Sequence, residues 1–164
     1  MSTPEAKPVS HSRTQQVQIV MARDINGYGR LFGGRLLEWI DVVAGVVARR
    51  HCQCNVTTAA IDNLQFRSPA RVDSTLCLIG QLTHVGRTSM EVRVDSFVED
   101  LQGRRTLINR AYLVMVALDE NERPVEVPRL VLATEEERRE WEAAVERTRL
   151  RKERRRLEKE AGIY

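Results

Sequence analysis

Two acids, Glu38 and Asp41, stand three residues apart on a stretch from Gly34 to Arg50 that is otherwise largely apolar. At helical spacing they share one face. A carboxylate in apolar surroundings is costly unless it is paired or does chemistry, so Asp41 is the residue to explain. Gly33 and Gly34 open the stretch without a Cβ atom. The first turn of a helix leaves backbone N–H groups unpaired and carries partial positive charge, so a ligand carbonyl can approach the Gly34 N–H closely. Asn26 precedes them in a turn with several glycines. Donors that hold an oxyanion and a carboxylate that activates water are the parts of acyl-transfer chemistry. Gly34 and Asp41 are about 10 Å apart along a helix axis. That is too far for both to touch one reacting carbon. Asn26 and Gly34 of one subunit are therefore expected to meet Asp41 of another across a two-fold interface. The bland account of Asp41 is a buried acid satisfied by its neighbours.

The elements that must position these residues follow from periodicity. Asp24 to Gly34 reads as a turn, since Asp, Asn and Gly supply tight backbone at low steric cost. From Gly34 to Arg50 apolar residues cover nearly every angular position, which predicts a helix buried on all sides. A short strand through Val17, Ile19 and Met21 precedes it. After it, Asn55 to Phe66 is rich in Thr, Val and Ile, and Ser74 to Val85 is mostly apolar; both suit strands. Met90, Val92, Val94, Ser96 and Val98 alternate with Glu91, Arg93 and Asp95, and Arg105 to Leu118 makes a fourth long strand. One early helix followed by four uninterrupted strands argues for an antiparallel α+β domain joined by hairpins.

At 164 residues the chain is expected to hold one domain with a sizeable core. We expect a disordered start at 1–14, the domain at 15–133 and a charged helical tail at 134–164. No apolar run is long enough to span a membrane, and the start is too polar for a secretory signal. Three cysteines at no framework spacing read as reduced thiols in a cytoplasmic protein. His51, Cys52 and Cys54 lie too close together for zinc-ligand spacing, and no second pair follows. The formal charge of +3 is uneven, because the basic residues concentrate between Arg147 and Lys159. Thr134 and the three following glutamates suit a helix N-terminus, and basic residues suit its far end. Trp141 and Val145 are placed to pack one turn on the domain; beyond Leu150 a solvated, fraying helix is expected. The tail lacks aromatic interleaving or a recognition motif, so nucleic acid is not expected as a partner.

The pattern Asn26-x-x-Gly-x-x-Phe-Gly-Gly-x-Leu-Leu-x-x-Ile-Asp41 resembles the signature of hotdog-fold acyl-coenzyme A thioesterases of the Asn/Asp type. The resemblance continues through Val56–Phe66, Gly86–Val92 and Ala111–Asp119, and spans Val17 to Leu130. It implies a curved antiparallel sheet wrapped around one central helix, and hydrolysis of acyl-coenzyme A to free acid and coenzyme A without a cofactor or metal. It also implies a homodimer as the minimal unit, often assembled further into a trimer of dimers. Asp41 then acts as general base or as nucleophile. Asn26 and the Gly34 N–H polarise the carbonyl or position water, with Gly33 beside the substrate. Gly86, Arg87, Thr88 and Ser89 resemble a segment associated with coenzyme A, although an ordinary hairpin turn explains them equally well. The alternative to an enzyme is a non-catalytic acyl-coenzyme A sensor whose basic tail binds nucleic acid or a partner.

Overall fold

The computed structural model describes residues 5–163. Its elements run β1 (Lys7–Pro8), α1 (Val9–Ser12), β2 (Thr14–Ile19), α2 (Gly33–Cys52), β3 (Asn55–Phe66), β4 (Thr75–Val85), β5 (Ser89–Glu99), β6 (Arg105–Leu118), β7 (Leu130–Val131) and α3 (Glu135–Glu160). Five strands form one antiparallel sheet in the order β2-β4-β5-β6-β3. The sheet wraps α2, as the hotdog arrangement requires.

Burial along α2 follows i, i+3, i+4 spacing: Leu36, Trp39, Ile40, Val43, Ala44, Val47, Ala48 and His51 face the sheet. The opposite face is open, with Val42 51% exposed, so the expectation of a helix buried on all sides is corrected for the single chain. Leu37 and Val46, also outside the core-facing set, are half-buried. Close packing against β4 depends on Gly80, where a Cβ would lie 2.6 Å from Val43 Cγ1 and 3.0 Å from Val47 Cγ2.

The start of the chain also departs from expectation. From Glu5 onward it is ordered: β1 pairs in parallel with β7, and β2 begins at Thr14 rather than Val17. Backbone pairing and the Lys7 Nζ bond to His51 O (2.7 Å) hold a segment that composition alone marks as loose. Residues 1–4 of the expected disordered stretch lie outside the described residues.

Helix α3 crosses the outer face of the sheet, opposite α2. Its start is a capping box: Thr134 accepts from the Glu137 N–H, and the Glu137 carboxylate accepts from the Thr134 N–H. Trp141 stacks on His84 with ring centroids 4.3 Å apart, and Ala144 is fully buried. Val145, expected to pack, is 49% exposed, because Ala144 occupies the contact instead.

The polar half of the β5 alternation lies beneath this helix, so Glu91, Arg93 and Asp95 are all buried. Arg147 and Arg151 both reach the Glu91 carboxylate (2.8 Å each), and Thr83 Oγ1 donates to it at 2.7 Å. Arg151 also pairs with Asp62 at 2.8 Å, and the Arg147 guanidinium lies 3.8 Å from the centre of the Tyr112 ring. Three charge pairs, Arg147–Glu91, Arg151–Glu91 and Arg151–Asp62, tie the helix to the sheet; it runs on to Glu160, with residues 152–157 exposed to solvent.

Replacing Gly80 with Ala should keep the fold but lower stability by about 1–3 kcal/mol, since two β-branched side chains on α2 must give way. Urea unfolding reads this as a lower midpoint at constant slope. An unchanged midpoint would mean that α2 lifts off the sheet without cost.

Candidate functional site

Asp24 organises the turn before α2. Its Oδ2 accepts from the Met21 N–H (2.9 Å), its Oδ1 lies 3.2 Å from Arg35 Nε, and its carbonyl accepts from the Phe32 N–H at 2.8 Å. These bonds tie the turn to the first turn of the helix. Phe32 is the N-cap and offers no capping side chain. Among the described residues, neither the Gly33 nor the Gly34 N–H has a protein acceptor. Both therefore remain available to a ligand. A Cβ at Gly33 would meet the Phe66 ring at 3.3 Å, and one at Gly34 would collide with Phe32 at 2.5 Å.

Asn26 is fixed by its backbone surroundings. Its Oδ1 accepts from the Tyr28 and Arg30 N–H groups at 3.0 and 3.3 Å, which can only be the amide oxygen's role. Its Nδ2 is then the other end of the amide, with no partner among the described residues. A cleft of about 340 Å³ collects Asn26 and Gly33 with the apolar side chains of Leu36, Phe66 and Ile108. Arg30 and Arg67 line the same cleft, and Arg71 flanks Asn26 in the adjoining groove.

Asp41 lies two turns further along α2 and does not line that cleft. It is half-buried on the open side of the helix. Its Oδ1 accepts a 2.7 Å bond from Thr58 Oγ1, whose hydroxyl also sits 3.6 Å from Met115 Sδ. Asp41 Oδ2 has no partner among the described residues. Thr58 reaches Asp41 because β3 faces α2 there; a bulge between Thr58 and Ala60 then turns the strand, so that Asp62 meets α3 on the other side. Thr58 was not picked out from the sequence. It lies among several β-formers in Val56–Phe66, and only its register against α2 distinguishes it. Asp24 was passed over for a similar reason, as one turn residue among many.

Gly86–Ser89 is elsewhere, in the β4–β5 hairpin. Gly86 N–H donates to Ser89 O (2.8 Å), and the Thr88 and Arg87 carbonyls accept from Ala117 and Val127. Within one chain this hairpin does not line the cleft. The structure thus gathers Asn26 and Gly33 in one place, Asp41 and Thr58 in a second, and the hairpin in a third. His51 turns inward, with its Nε2 2.9 Å from Pro128 O, and burial lowers its pKa. It is a neutral core histidine rather than a free ligand.

Residues 28–103 match the family model of the thioesterase superfamily. An uncharacterized acyl-CoA thioester hydrolase of Bacillus subtilis is 40% identical over 157 residues, spanning 95% of this chain and 91% of the other. The crystal structure of an apo-hexameric acyl-CoA thioesterase superposes with a TM-score of 0.88 at 44% identity, over 92% of this chain and 97% of the other. An acyl-CoA hydrolase of Staphylococcus aureus, solved with butyryl coenzyme A, coenzyme A and coenzyme A disulfide, gives a TM-score of 0.90 at 30% identity. The overlap covers 95% of this chain and 96% of that one. Solved alanine variants of the S. aureus enzyme replace an asparagine, an aspartate 15 residues later and a threonine 17 residues beyond that. Asn26, Asp41 and Thr58 stand at the same intervals.

Proposed function

The chain belongs to the thioesterase superfamily, and on that premise we propose that it hydrolyses acyl-coenzyme A to a free carboxylic acid and coenzyme A. The observation that carries this reading is the Asp41 carboxylate, held at Oδ1 by Thr58 and open at Oδ2. A hydroxyl donor on one oxygen fixes the plane of the carboxylate and leaves the other oxygen to accept a proton from water. This favours Asp41 as general base over direct attack on the thioester. Charge developing on the carbonyl oxygen would be met by the free Gly34 N–H and by Asn26 Nδ2; one such donor is worth about 3 kcal/mol. Arg30, Arg67 and Arg71 around an apolar cleft suit a ligand with an acyl chain and a phosphorylated end.

The site is shared between subunits in this reading. Asp41 is absent from the cleft that holds Asn26 and Gly33, and about 10 Å of helix rise separates it from Gly34. A second copy can supply the missing half. Two features of the single chain invite one: the exposed Val42 face of α2, and the unpaired edge of the 12-residue strand β3. The same pairing would bring a partner's Gly86–Ser89 hairpin into reach of the ligand. The hexamer of the apo thioesterase relative suits such dimers as building blocks.

Thr58→Val should lower kcat by about 10-fold or more with little change in KM, because it frees the base without touching the binding cleft. Equal loss through KM alone would argue that Thr58 shapes binding instead. The decisive test mixes two inactive variants, Asn26→Ala and Asp41→Ala, each expected to be down by about 10²-fold or more. After subunit exchange, roughly half the dimers are mixed, and each mixed dimer has one intact site, so about a quarter of wild-type activity should return. If mass spectrometry shows exchange but activity stays at the single-variant level, both residues serve one subunit. Release of free thiol from a panel of acyl-coenzyme A chain lengths tests hydrolysis itself. Tight binding without release would turn the reading toward a sensor.

A further inference from the structure

The Cys52-Gln53-Cys54 motif plays no part in the site above. Helix α2 ends at Cys52, and Gln53 adopts left-handed backbone (φ 56°) with its N–H bonded to Arg49 O. That reversal folds Cys54 back on Cys52. Their Sγ atoms lie 3.1 Å apart, inside ordinary van der Waals contact for two sulfurs. Both side chains are half-buried, but they face different surroundings. Cys54 lines an open groove of about 540 Å³ with Arg49, Gln53, Asn55, Leu118 and Asp119, whereas Cys52 does not reach it. Cys77, the third cysteine, is fully buried within β4.

We propose that Cys52 and Cys54 form a thiol–disulfide exchange site, in which a low-molecular-weight disulfide enters at Cys54 and the pair closes to an intrachain disulfide. The inference does not depend on the thioesterase reading. The backbone cap, rather than flexible side-chain tips, brings the two sulfurs together, so a bond of about 2.05 Å needs only a small further approach. Access divides the roles. Cys54 faces the groove and opens the exchange. Burial holds the Cys52 thiol well above the usual thiol range, so it stays protonated until the second step.

In the first step the Cys54 thiolate attacks one sulfur of the reagent, the reagent's S–S bond breaks, and one thiol leaves with the proton that Cys54 lost. Cys52 Sγ then attacks Cys54 Sγ and gives up its proton, and the second thiol leaves. The two protein sulfurs are oxidised and the reagent is reduced to two thiols. A disulfide across one intervening residue closes a small strained ring, so it should be readily reversed by a reducing thiol.

The test treats the folded full-length chain with glutathione disulfide and maps it by mass spectrometry under non-reducing conditions. Wild type should yield a tryptic peptide 51–67 lighter by two hydrogens and closed to alkylation, and dithiothreitol should restore it. Cys52→Ser should stop at one stable glutathione adduct on Cys54. Cys54→Ser should react at least ~10-fold more slowly, since its remaining thiols are shielded. A stable adduct in wild type like that of Cys52→Ser would overturn the proposal, as would Cys54→Ser reacting at the wild-type rate. So would a folded wild type that resists oxidation while the unfolded chain is fully oxidised. The wild-type digest alone decides the matter should either serine variant fail to fold.

Discussion

How closely α2 lies on the sheet is set where it crosses β4, at a position with no side chain to hold it off. With Gly80 beneath them, Val43 and Val47 come down to backbone level. Asp41, two residues before Val43 and on another side of the helix, is thereby brought within a hydrogen bond of Thr58 on the far edge strand. Side chains cannot stretch to make good a helix that sits too high, because the core is close-packed and β-branched residues have few rotamers to offer. A contact on one side of the sheet thus fixes the geometry of a carboxylate near its other edge.

Strand β3 serves two masters through its bulges. Before the first, Thr58 faces α2; after it, Asp62 faces α3; at Asn63, with φ 54°, the strand turns again and Phe66 returns toward the cleft. A regular strand could not do this, since a strict period of two keeps alternate residues on one face throughout. The ion pairs of α3 therefore bear on the segment that carries Thr58. Replacing one partner of such a buried pair leaves the other charge stranded, which costs far more than the pair contributes as a whole.

Much of this was legible in the chain. Periodicity located the four long strands and the central helix to within a few residues, and the Asn26–Asp41 signature named the family. Three things were not legible, each for a physical reason. The open face of α2 looks like core, because apolar composition does not say whether another element of the same chain covers it. Glu91, Arg93 and Asp95 look solvated because alternation reports which residues avoid the inner core, not what covers the outer face. Thr58 works through a hydrogen bond and Asp24 through an ion pair whose partners lie 17 and 11 residues away, and no local pattern marks such pairs.

The short parallel pairing of Lys7–Pro8 with Leu130–Val131 has a kinetic meaning. It joins strands roughly 120 residues apart in sequence, so it carries the largest loop-closure entropy of any contact in the sheet system and gains only two residue pairs in return. Such a contact forms after the hairpins of β4, β5 and β6 have assembled. During synthesis, the amino-terminal segment must wait for most of the chain to emerge before it can dock. Until then, the Lys7 bond to the His51 carbonyl, at the carboxyl end of α2, lacks the strand pairing that holds Lys7 in place.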